Sequence, residues 1–131
     1  MPWVEVFAVF IVCHLAGDYL VQTDWQAAHK RGGLTGPSES RRALVAHVTT
    51  YTLTFTPAFL WLAFDIDWLV APIVALVFVP HLIQDDGRVL DRYMRDVKSL
   101  SAGDNPLVFG AVDQSFHVIT LFGIALLAST G

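Results

Sequence analysis

The stretch Trp3–Val21 reads WVEVFAVFIVCHLAGDYLV. Apart from Glu5, His14 and Asp18 it holds only apolar and small residues, and a helix of about 20 such residues crosses the hydrocarbon core of a bilayer. No basic segment precedes it and no small-residue cleavage site follows it, so it reads as a retained helix rather than a leader. Working outward, three further runs share its character: Ala43–Phe64, Trp68–Ile83 and Pro106–Ala128. The predicted spans are 3–22, 43–64, 68–85 and 106–128, the end of the third being the boundary least marked in the sequence. Short connections between such helices predict an all-α, four-helix transmembrane bundle with antiparallel neighbours. The whole chain, 1–131, is then one integral membrane domain.

Composition agrees. The 131 residues are 54% hydrophobic and 15% charged, with a mean hydropathy of +0.53, whereas soluble domains carry nearer a quarter of their residues as Asp, Glu, Lys or Arg. Eight basic against twelve acidic residues give a net charge of −4. That balance excludes a dedicated nucleic-acid binder, which needs a dense basic face. A single cysteine excludes both a disulfide framework and a cysteine-based zinc site.

The basic residues decide orientation. All eight (Lys30, Arg31, Arg41, Arg42, Arg88, Arg92, Arg95 and Lys98) lie in the two long connections, 23–42 and 86–105. The positive-inside rule puts those connections in the cytoplasm and both termini outside. Trp3, Trp61 and Trp68 form an aromatic belt at the outer surface, and Trp25 and Tyr93 mark the inner one. Within the second connection Val89, Leu90, Tyr93 and Val97 recur at helical spacing among charged residues, which predicts an amphipathic helix on the inner surface or an extension of the third span. The turn-forming residues of 101–105 end it, and Pro106 suits the first position of the last helix.

Each span carries one histidine: His14, His47, His81 and His117. Three have an aspartate four residues away, as His14–Asp18, His81–Asp85 and Asp113–His117, so each helix shows imidazole and carboxylate on one face. Gln22 extends the first stripe, and Tyr51 stands four residues after His47. In alternating helices all these groups fall in the cytoplasmic half of the bundle, which argues for one shared site. A buried aspartate costs about 2.5–3.5 kcal/mol at the centre of a membrane helix, and no Lys or Arg lies within the spans to offset it. Protons on the histidines or a bound cation must do so. Imidazole nitrogen with carboxylate oxygen is a ligand set for zinc first, and for manganese or iron as alternatives, in one or two ions. The candidate ligands are His14, Asp18, His47, His81, Asp85, Asp113 and His117, with Gln22 and Tyr51 beside them.

The elements His14-Leu15-Ala16-Gly17-Asp18-Tyr19 with Gln22 and Trp25, His81 with Asp85, and Asp113-Gln114-Ser115-Phe116-His117 resemble those of a bacterial and phage family of small membrane proteins, domain of unknown function 3307. The resemblance covers nearly the whole chain and adds Gln114 to the residues beside the ligands. Its layout is also similar to that of inner-membrane proteins described as metal-dependent hydrolases. It implies a multi-pass protein of the bacterial inner membrane and no particular reaction.

Three functions compete. In a metal-dependent hydrolase the ion would lower the pKa of water toward about 7, and Asp18 or Asp113 would serve as general base. Arg88, Arg92 and Arg95 would then meet the headgroup of a lipid-linked or amphiphilic substrate in the bilayer. A metal or proton carrier would use the same ligands for transit. A non-catalytic interaction protein would use them only to fix helix register. The sequence is compatible with a homo-oligomer as well as a monomer.

Overall fold

The computed structural model describes residues 1–101 and 103–130. Every regular element among them is helical, with no strand. Of the expected break at 101–106, Ala102 lies outside the described residues.

Pro2, held at φ −65° and ψ 134°, starts α1 (Trp3–Leu15). This helix buries Val6, Phe10, Cys13 and His14 and runs without a gap into a wider π-type segment, Ala16–Val21. Such widened turns are frequent at functional sites, and this one turns Gly17 and Asp18 inward together. The backbone becomes extended at Gln22, and Thr23 opens α2 (Asp24–His29) with a reciprocal cap: Thr23 Oγ1 accepts from the Gln26 amide while Gln26 Oε1 accepts from the Thr23 amide. Thr23→Ala is expected to cost about 1 kcal/mol of α2 stability and to speed amide exchange of Gln26 roughly fivefold. Unchanged exchange would show that the cap holds nothing in place.

Pro37 begins α3 (Ser38–Thr54), earlier than the expected start at residue 43. Phe55, at φ −83° and ψ −2°, separates α3 from α4 (Thr56–Ile66), whose first turn contains Pro57. The expected span 43–64 is therefore divided in two. Thr50, Thr52 and Thr54 of α3 turn back on its own carbonyls, as Thr52 Oγ1 does on Val48 O, and Thr54 Oγ1 also reaches across to Cys13 O.

Asp67 breaks the helical run with φ 52° and ψ −129°. A single turn, Asp67–Leu69, leads into α5 (Val70–Asp86). Because α5 packs along α3 as well as α4, the chain folds back at Asp67. Gly87, at φ +86°, ends α5 and starts α6 (Arg88–Asp96). Only glycine adopts that conformation without strain, so α6 is a separate helix rather than an extension of the third span. Its inward stripe is Leu90 and Met94, with Tyr93 packed edge-on against Phe116, while Val89 and Val97 are exposed; of the expected apolar face Leu90 and Tyr93 point inward, and Met94 rather than Val89 and Val97 completes it. The side chain of Asn105 caps the amide of Val108 at the start of α7 (Pro106–Ala128).

Helix α1 packs along α7, and α5 packs along both α3 and α7. Val6, Phe10, Phe55, Leu62, Ile73 and Ile124 belong to one buried apolar cluster. Three helical stretches are long and apolar enough to cross a membrane: Trp3–Val21, Thr56–Asp86 and Pro106–Ala128. The second of these includes the fold-back, so its two arms are each shorter than the run itself. Helix α3 adds no fourth stretch of this kind among the described residues, because Arg41, Arg42, His47 and its threonines lower its apolar content.

Candidate metal centre

Four helical segments each deliver one or two groups to a single point. The π-type segment carries Asp18, α3 carries His47, α5 carries His81 and Asp85, and α7 carries His117. All five side chains are buried. His47 Nε2 lies 2.8 Å from Asp85 Oδ2 and 3.2 Å from Asp18 Oδ1. His81 Nε2 lies 3.1 Å from the same oxygen of Asp85 and 3.4 Å from that of Asp18. The two imidazole nitrogens are 3.1 Å apart. These five separations fall close to the edge of a tetrahedron around zinc, about 3.3–3.4 Å for Zn–N bonds of about 2.0–2.1 Å. Asp18, His47, His81 and Asp85 thus mark the corners of a metal-sized site, with their ligand atoms within 4.8 Å of one another.

Polar accounting supports a cation there. Asp18 Oδ1 has no hydrogen-bond partner among the described residues, and neither does Nδ1 of His47 or His81. A buried carboxylate oxygen without a donor is costly, and a cation between Asp18, the histidines and Asp85 would satisfy it. The donor set, two imidazoles and two carboxylates, fits a divalent transition metal.

The surroundings fix the ligands. The ring of Tyr51 stacks on that of His81, with centroids 3.5 Å apart and planes within 5°. Tyr51 Oη is 2.9 Å from His14 Nδ1, and His14 Nε2 donates to Gln114 Oε1 at 2.8 Å. Gln114 Nε2 reaches Asp18 Oδ2 at 3.5 Å. Both ring nitrogens of His14 are therefore engaged, and His14 stands behind Asp18 rather than among the converging atoms. Gln22 donates to Asp18 O and accepts from Lys30 Nζ. Arg88 lies outside this centre: it bridges Asp86 and Thr35 at the protein surface. Asp113 is partly exposed. Its Oδ1 is 3.8 Å from His117 Nδ1, and that nitrogen donates to the Asp113 carbonyl at 2.7 Å.

Lys30 corrects an expectation. Its Nζ lies 2.8 Å from Asp85 Oδ2, reaching the site from the end of α2. Positive charge therefore comes from a connection, although none lies within the predicted spans. The formal balance shifts accordingly. Three carboxylates and one ammonium leave −2, the complement of one divalent cation. No sequence signal pointed to Lys30, because α2 brings it to a residue 55 positions away.

The family model described as "Protein of unknown function (DUF3307)" matches residues 6–130. The chain belongs to this family. No curated protein and no solved structure matches it. The matched region of this DUF3307 chain includes every residue of the centre, from His14 to His117.

Proposed function

We propose that this DUF3307 protein is a metal-dependent hydrolase of the bacterial inner membrane. It acts on a membrane-associated, phosphate-bearing substrate from the cytoplasmic side. The single observation that carries the reading is the convergence of Asp18, His47, His81 and Asp85 at separations of 2.8–3.4 Å. The arrangement proposed around it is a four-helix antiparallel bundle: α1, α3 with α4, α5 and α7. Both termini lie outside and the Lys- and Arg-bearing connections inside.

A divalent ion in such a site would polarise the scissile bond and make water acidic enough to react near neutral pH. The chain's own groups do the rest. His47 and His81 present Nε2, while Tyr51 and the His14–Gln114 pair hold His81 and Asp18 in place. Asp113, with 29% side-chain exposure against 5% for Asp18 and 2% for Asp85, is the carboxylate open to a substrate's approach. It takes the proton from water and returns it to the leaving oxygen.

Substrate capture would fall to a surface cleft of about 620 Å³. Arg88, Arg92 and Arg95 line it beside Leu34, Ile83 and Val89. It lies where apolar α5 gives way to charged α6, a place suited to an anionic headgroup on an apolar tail. A carrier would need a polar path onward, and Val6, Phe10, Phe55 and Leu62 form a buried apolar block.

Elemental analysis of the purified protein beside His47→Ala, with hydrolysis of bis(p-nitrophenyl) phosphate as the readout, tests this reading. Wild type should hold at least one divalent ion per chain and lose hydrolysis on chelation, and the variant should lack both. Wild type with less than about a tenth of an ion per chain, or hydrolysis indifferent to chelator, overturns it.

A further inference from the structure

We infer a second, open cation site next to the first, formed by Asp85, His117 and Asp113, and assign it as the place where a phosphoryl substrate meets metal. This rests on the hydrolase reading above. The argument begins with coordination number. Asp18, His47, His81 and Asp85 already supply four ligands, and structural zinc sites are closed in that way. Catalytic zinc sites have three protein ligands and one open position.

The second group has that form. His117 donates its Nδ1–H to the Asp113 carbonyl at 2.7 Å, so its Nε2 is the atom turned toward Asp85 Oδ1, 2.9 Å away. In the neutral ring that nitrogen bears a lone pair, and with Asp85 Oδ1 it offers a divalent ion two adjacent ligand atoms. Asp85 then serves both sites. Oδ2 faces His47 and His81 while Oδ1 faces His117. Asp113 brings a ligand atom within 4.8 Å of both other members, and its second carboxylate oxygen remains free to move a proton.

The two groups also differ in access. Asp113 lines a small cavity of about 140 Å³ with Gln84, Val89, Leu90 and Phe116, between α5, α6 and α7. No member of the four-ligand group lines it. Asp113 therefore gives the second site space beside it for a reacting group.

Charge specifies the class of substrate. One divalent ion brings the centre, Lys30 included, to zero, and a second brings it to +2. A phosphoryl group carrying one or two negative charges is the complement, and paired metals clamp such groups in phosphatases and nucleases.

The experiment is metal content by elemental analysis after equilibration with Zn²⁺, on wild type, Asp113→Asn and His47→Ala in detergent. Helix content by circular dichroism confirms folding. The expected result is two ions in wild type and one in Asp113→Asn, with bis(p-nitrophenyl) phosphate hydrolysis reduced at least 100-fold in that variant. One ion in wild type and an unchanged count in Asp113→Asn would overturn the second site while leaving the hydrolase reading intact. Two ions retained in Asp113→Asn would remove Asp113 from the site and overturn the proposal likewise. No ion in folded wild type would overturn both readings. If Asp113→Asn fails to fold, His117→Gln replaces it with the same expected counts.

Discussion

Asp85→Asn is expected to abolish metal binding at the proposed centre and to lower stability by about 3–5 kcal/mol, the cost of leaving a buried charge without its partner. One carboxylate meets four side chains: Lys30 at 2.8 Å and His47, His81 and His117 at 2.8–3.1 Å. The amide keeps the shape but loses the negative charge, and its NH₂ face adds a donor opposite atoms that already donate or bind a cation. Lys30 suffers most, since its remaining acceptor is Gln22 Oε1. The double variant Asp85→Asn/Lys30→Met should recover part of the loss, because it removes both charges together. Denaturant titration in detergent with elemental analysis checks both points. A single-variant loss below about 1 kcal/mol would be too small for a buried pair of this kind.

Gly17→Ala is expected to lower the proposed hydrolysis about 100-fold while leaving the helices formed. A Cβ at this position would sit 2.6 Å from Tyr51 Cδ2 and 3.0 Å from Thr54 Oγ1. Tyr51 must therefore move, and overpacking of this kind costs about 1–3 kcal/mol. The displacement does not stay local. Tyr51 is stacked on His81 and bonded to His14, so its shift reaches a metal ligand and the group that orients Asp18. A misplacement of about 1 Å at a reacting centre is worth about 10² in rate. Gly110→Ala is the control, because no atom lies within 4 Å of its added Cβ. It should be neutral or stabilising by up to about 1 kcal/mol. Equal rates in the two variants would disconnect Tyr51 from the chemistry.

The sequence showed what repeats along one helix and concealed what joins different ones. The His–Asp spacing of four placed His81 with Asp85 on one face, and the structure has them 3.1 Å apart. The same spacing paired His14 with Asp18, yet their nearest approach is 3.7 Å. Asp113 and His117, at the same spacing in α7, are 3.8 Å apart, so the spacing places groups on one face without making them touch. Periodicity also missed the division at Phe55, which follows from backbone angles and the Pro57 ring rather than from any change in hydrophobicity. The fold-back at Asp67 was legible as a polar interruption between apolar runs. Lys30 was not, because a basic residue in a connection reads as an orientation signal until tertiary packing gives it a partner. Gly87 was equally silent: its positive φ separates α5 from α6, and the sequence alone allowed one helix or two.

His117 stands on α7, C-terminal to every other group of the centre, and it completes the set around Asp85. Asp18 and Asp85 are therefore made before this partner, which α7 brings to them. The centre is therefore a late product of assembly. Its polar groups come together only once α7 has packed along α5, so an intact cluster doubles as a mark of that docking. A fragment ending before Pro106 would keep Lys30, His47 and His81 around Asp85 Oδ2 but leave Oδ1 without His117.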